Sequence, residues 1–178
     1  MARVCLLGDD GVDLRYELLS RETAREALAT YDLRQPYHNS VALETVSLGA
    51  AVALLNDLNW YLVRFVDEAL VLEPSVSDEE WLSRDLASDL REDRVTPDES
   101  DRFLKVYGVV TPDKGDASGG DEGDTAADDG NDGTRRGPDR RLVDPMFVTR
   151  TGPELPDYDL RDVDETVVVR VTEGEFGA

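Results

Sequence analysis

The chain has no Ile, and its only Lys residues are Lys105 and Lys114. It has one Cys, Cys5, and one His, His38. A lone Cys cannot close an internal disulfide. Cys5 lies in the apolar run Val4-Cys5-Leu6-Leu7 and reads as a small buried hydrophobe. One Cys and one His exclude a zinc site built from the usual Cys/His sets. A nucleophilic triad would have to use His38, which sits in the turn-rich Gln35-Pro36-Tyr37-His38-Asn39-Ser40, and no Gly-x-Ser-x-Gly elbow accompanies it. No apolar run approaches the roughly 20 residues that span a bilayer. The longest, Val46 to Leu55, is ended by Asn56 and Asp57. The apolar run at the N-terminus is too short for a signal peptide. The expectation is a cytoplasmic protein with no membrane partner.

What replaces the missing residues is acid. There are 25 Asp and 15 Glu against 17 Arg, a net charge of −21 on 178 residues. In dilute buffer this would loosen the fold by self-repulsion. In about 1 M salt the screening length falls to about 3 Å, and exposed carboxylates serve hydration and solubility instead. Asp exposes little apolar stem, whereas Lys exposes much. The pattern is that of a salt-adapted protein, and 20 Val in place of Ile fits a GC-rich coding bias.

Residues 112–140 have no aromatic residue and no Val, Leu or Met. They cannot bury enough apolar surface to offset their ordering entropy and are expected to be a disordered acidic Gly/Asp-rich insert. Residues 1–111 plus 141–178 then form a single domain. Phe103–Val110 and Arg141–Thr149, both β-rich, flank the insert and predict a hairpin with an expanded loop, which costs little closure entropy. Pro145 predicts a bulge or an edge there.

Elsewhere the patterning predicts strands at Arg3–Leu7, Val41–Val46 and Glu165–Thr172. Leu14, Tyr16 and Leu18 alternate as in a strand, followed by a helix capped at Ser20; one helix starting at Asp13 is the alternative. Ser47 can cap a helix running to Leu58. Trp60–Val66 and Ala69–Leu72 predict a second hairpin around Asp67-Glu68. Ser77 and Glu80 form a Ser-x-x-Glu capping box for a further helix. Thr96-Pro97 opens a short one. The predicted class is α+β: one mixed, mostly antiparallel sheet with helices packed on one side.

The stretches LRYELLSRETAREALATYDL (14–33) and LNDLNWYLVRFVDEALVLEPS (55–75) resemble a small haloarchaeal family of uncharacterised activity. That resemblance implies no catalytic residue. Trp60-Tyr61-Leu62 also matches the three letters that name the WYL domain, a ligand-sensing module of bacterial transcription regulators. The Phe-Arg-Leu-Asp-Arg-type segment that follows in that family is absent, so the tripeptide assigns nothing.

Chemistry leaves few marks. Leu7-Gly8-Asp9-Asp10-Gly11 follows a strand but lacks the remaining elements of a phosphate loop, and its two Asp would repel phosphate. Nucleic-acid binding through counterion release weakens steeply with salt, so aromatic stacking would have to carry it. The expected function is a non-enzymatic domain that binds a protein or other macromolecule, without catalytic residue, cofactor or metal. Tyr37, His38, Trp60 and Arg64 are the candidate binding residues. Two alternatives stand beside it: a carboxylate- or Mg-dependent enzyme, and a nucleic-acid or nucleotide-sensing regulator.

Overall fold

Ala2–Gly8 (β1) can be buried on both faces because its apolar run does not alternate with polar residues. Ala2, Val4 and Leu6 join one core cluster, while Cys5 and Leu7 join a second on the opposite face. The computed structural model describes residues 1–110, 140–149 and 165–176.

Among these residues β1 is paired on both sides, with Ser40–Thr45 (β2) and with Val66–Leu72 (β3). The sheet continues through Trp81–Ser83 (β4), Glu165–Arg170 (β7), Phe103–Val110 (β5) and Arg141–Thr149 (β6), in the order β2-β1-β3-β4-β7-β5-β6. Every pairing is antiparallel except β4 with β7. Five helices supply the first core: Leu14–Leu19 (α1), Glu22–Leu28 (α2), Leu48–Asp57 (α3), Asn59–Phe65 (α4) and Arg84–Arg91 (α5). A short sixth, Glu173–Phe176 (α6), sends Phe176 to the other cluster, against Phe103 and Phe147. The class is α+β, one mixed sheet in a single domain, as its patterning predicts.

The hairpin around the insert is present as β5 and β6, with β6 at the sheet edge. Its register shifts where Val106 faces Met146 and Gly108 faces Val143, so positions 144 and 145 together stand opposite position 107, one extra residue on β6. Pro145 occupies the bulge expected of a residue that cannot donate to the ladder. The insert itself, apart from Arg140, lies outside the described residues. Ser47 caps α3 by accepting from the Ala50 N–H at 3.1 Å.

Four local expectations are corrected. Leu14–Leu18 is helical, not a strand: Asp13 caps it by accepting from Tyr16 N at 3.2 Å, and Leu14 and Leu18 are buried one turn apart. Trp60–Phe65 is also helical, which buries Tyr61 and Leu62 and turns Trp60 and Val63 outward. Asp67 and Glu68 then fall inside β3 rather than in a turn. Ser77 does accept from the N–H groups of Glu79 and Glu80, but no helix follows. Trp81 and Leu82 pair instead with Val169 and Arg170, and the helix starts later, capped by Ser83. Thr96-Pro97 opens only a turn, closed by Glu99 accepting from the Thr96 N–H at 3.1 Å.

Two contacts show that the sheet curls. A flat sheet of seven strands would hold its edges about 29 Å apart at about 4.8 Å per strand. Yet His38, just before edge strand β2, donates its N–H to the Arg140 carbonyl, just before edge strand β6, at 2.7 Å. Glu68 on β3 likewise reaches β5, which β4 and β7 separate from it in the sheet order: its Oε2 accepts from Lys105 Nζ at 2.7 Å and from the Tyr107 hydroxyl at 2.9 Å. Helices α1–α5 lie on one side of the curl. The second cluster, with Cys5, Leu70, Tyr107 and Val169, lies on the other.

Candidate functional site

The four predicted binding residues fall into two places. Tyr37 and His38 lie in the loop between α2 and β2, where they line a cavity of about 610 Å³ with Asp10, Asp67, Tyr107 and Arg141. Trp60 and Arg64 do not line this cavity; they stand on α4.

The first place is built by a clamp on Asn39. Asn39 has φ +52° and accepts from the Leu14 N–H at 2.9 Å, so it satisfies a donor at the start of α1. Its Nδ2 donates to the Asp9 carbonyl at 3.2 Å, and its own carbonyl accepts from Gly8 N at 2.8 Å. Gly8 is required here: a Cβ would lie 2.5 Å from Asn39 Nδ2. The clamp holds the 9–13 turn and the 37–40 loop side by side. Ser40 adds to it, accepting from the Tyr37 N–H and donating to the Tyr37 carbonyl. His38 is exposed, and its imidazole has no hydrogen-bond partner among the described residues.

The second place is an aromatic–guanidinium stack. Arg64 lies 3.9 Å from the Trp60 ring centroid and donates from Nη1 to the Trp60 carbonyl at 2.9 Å. Arg21 of the neighbouring helical segment lies 5.3 Å from the centroids of both Trp60 and Phe65. Trp60 is nevertheless 46 % exposed, Val63 70 % and Tyr16 65 %. Helix α4, Asn-Trp-Tyr-Leu-Val-Arg-Phe, contains no acidic residue in a chain that has 40 of them. This is an aromatic–guanidinium face on an otherwise acidic molecule, with Arg21 also paired to Glu17 at 3.3 Å.

Three groups were not marked by the sequence pattern. Glu68, Lys105 and Tyr107 form the bridge inside the curl, and burial, with the Glu68 carboxylate adding to it, pushes the Tyr107 hydroxyl up. The available signal was Lys105 itself, one of two Lys in a chain that otherwise uses Arg. Arg170 joins Glu80 and Ser100 in a buried cluster. Burial pushes the Cys5 thiol up to about 12, which leaves it an inert core residue. Among the described residues no group of three His, Cys, Asp or Glu side chains is gathered as metal ligands are.

Glu175 is the third group. It accepts from the Thr172 N–H at 3.0 Å at the start of α6. Burial raises its carboxyl pKa and Asp85 adds to the rise, against hydrogen bonds from Ser83 and Thr172 that lower it. A carboxyl whose folded pKa is raised favours folding when protonated. That contribution is complete below the ordinary value of 4.5 and is lost as pH rises through the folded pKa. Glu175→Gln does not titrate. Its melting temperature is expected to match wild type in acid and to exceed it increasingly toward neutral pH, by well under about 1 kcal/mol because the group is partly solvated. Thermal melts across pH check this, and a gap that closes toward neutral pH would refute it.

Residues 2–109 match the model of a protein family described as a family of unknown function, DUF5804, and the chain belongs to that family. The match takes in Tyr37, His38, Trp60 and Arg64 and ends within β5, before β6 and β7. No curated protein and no solved structure matches the chain.

Proposed function

We propose that this member of the family is a non-enzymatic binding domain whose partner, a protein or other macromolecule, docks on α4 and α1. The observation that carries the reading is the exposed Trp60, stacked on Arg64 with Arg21 beside it and with exposed Val63 one turn along the same helix. Exposed Trp and Arg are the residues that most often dominate interface energetics. The acidic composition supports a salt-adapted, cytoplasmic setting of haloarchaeal type. In such a setting charge–charge contacts at the surface are screened within a few ångströms. Apolar burial and stacking survive that screening, so a partner would be held by Trp60 and Val63, with the guanidinium groups acting through their planar faces.

The test is affinity capture from a lysate kept at multimolar KCl, with the wild type beside a Trp60→Ser/Val63→Ser variant. Both substituted side chains are exposed, so the fold is expected to tolerate the change. A stoichiometric partner retained by the wild type and lost by the variant is the expected result. Recovery of the wild type alone, or equal retention by both, overturns the proposal.

A further inference from the structure

A second cavity, of about 620 Å³, opens where the loop before β2 crosses the sheet edge. Its lining includes Arg3, Tyr31, Arg34, Gln35, Tyr37 and Trp81. The loop is fastened to the edge strand by a pair of backbone hydrogen bonds: Arg34 N to the Ala42 carbonyl at 2.8 Å, and Ala42 N to the Arg34 carbonyl at 2.7 Å. The opposite wall is fixed by β4, where Trp81 faces Val169 of β7. The volume falls in the range of sites for small ligands, about 300–1,000 Å³.

Three polar groups on this lining are unused. Among the described residues the indole N–H of Trp81, the hydroxyl of Tyr31 and the side-chain amide of Gln35 have no hydrogen-bond partner, though all three residues are half-buried. A purely apolar ligand would leave them unsatisfied. A ligand edge that mixes donors and acceptors would pair with them, and the Gln amide is suited to such an edge. The aromatic rings supply the stacking surface.

The charged side chains of the lining are paired with one another and largely exposed. Arg3 pairs with Glu44 at 3.4 Å and Arg34 with Asp32 at 3.8 Å. All four residues line the cavity, and their side-chain charges cancel within a chain of −21. Each guanidinium has five N–H donors, and one ion pair leaves most of them available to an oxyanion.

We infer that this cavity binds a mononucleotide, with the base against Trp81 and Tyr37 and the phosphate at Arg34 and Arg3. The proposal is independent of the α4 surface, which lies on another part of the molecule.

The chain has two Trp, so its ¹H–¹⁵N spectrum contains two indole signals, and Trp60→Phe identifies that of Trp81. Titration with adenosine 5′-monophosphate in multimolar KCl is expected to move the Trp81 signal saturably and to leave that of Trp60 in place. Arg34→Ala, at an exposed residue whose ion pair is with the exposed Asp32, is expected to weaken the monophosphate about five-fold and to leave adenosine unchanged. An unmoved Trp81 signal overturns the proposal. Equal weakening of adenosine overturns the assignment of the phosphate. A single-stranded oligonucleotide that binds more than ten-fold tighter than the monophosphate overturns the free-nucleotide assignment in favour of single-stranded nucleic acid.

Discussion

Arg170→Met is expected to cost the fold about 3–5 kcal/mol, the range for breaking a buried ion pair by removing one partner. The Arg170 and Glu80 side chains are only 9 % and 13 % exposed, and Nε lies 2.8 Å from Glu80 Oε1. Nη1 donates to Ser100 Oγ at 2.9 Å, and Ser100 Oγ donates on to the Pro97 carbonyl at 2.6 Å. One guanidinium therefore joins β7, the segment before β4 and the 97–100 turn. Salt does little to weaken a pair so removed from solvent. Without the cation, the Glu80 carboxylate is left in a poorly solvated site. Denaturant unfolding at fixed multimolar KCl measures the loss. The paired change Arg170→Met/Glu80→Met removes both charges and is expected to recover most of it, since apolar replacement of a whole buried pair is often neutral. A double variant as unstable as the single one would show that the cost comes from packing rather than charge.

The second large effect is at Asn39. Asn39→Ala removes the acceptor of Leu14 N and the donor to the Asp9 carbonyl, and it forces a Cβ residue without local hydrogen bonds to hold φ +52°. The lost bonds cost about 1–3 kcal/mol and the left-handed backbone about 1 kcal/mol more. Asn39→Gly loses the same bonds but adopts that backbone freely, so it is expected to be the milder variant. Gly8→Ala places its Cβ 2.5 Å from Asn39 Nδ2 and is expected to cost about 1–3 kcal/mol by overpacking. In the Asn39→Gly background that clash is gone, so the two changes are expected to be strongly non-additive in a double-mutant cycle. Simple additivity would show that Gly8 and Asn39 do not act as one clamp.

What was legible in the sequence was local. The apolar run of β1, the Ser47 cap and the β-rich flanks of the insert each carry their signal within a few residues. Pro145 marked its bulge because a missing N–H has few places in a ladder. What misled was also local. Leu14, Tyr16 and Leu18 satisfy a two-residue period and, through Leu14 and Leu18, a helical one. Trp60–Val66 is rich in β-formers, yet it follows α3 directly and buries Tyr61 and Leu62 as a helix. At Ser77 the capping hydroxyl does accept from the Glu79 and Glu80 N–H groups, but pairing with a strand roughly ninety positions onward prevails over a helix there. The same distance hid the sites. Trp60 and Arg64 were recognisable as an aromatic–Arg pair, and only the helix shows that they face outward. The Trp81 cavity and the Glu68–Lys105–Tyr107 bridge join residues that no spacing rule connects.

The central claim is that α4 presents the docking surface. A photo-crosslinking amino acid at position 63, where the side chain is 70 % exposed, tests it most directly when irradiated in lysate at multimolar KCl beside the same probe at position 15 on α1 and at position 91 on α5. One discrete adduct is expected from position 63, a weaker yield of the same adduct from position 15, and none from position 91. No adduct from position 63, or one obtained equally from position 91, would contradict it.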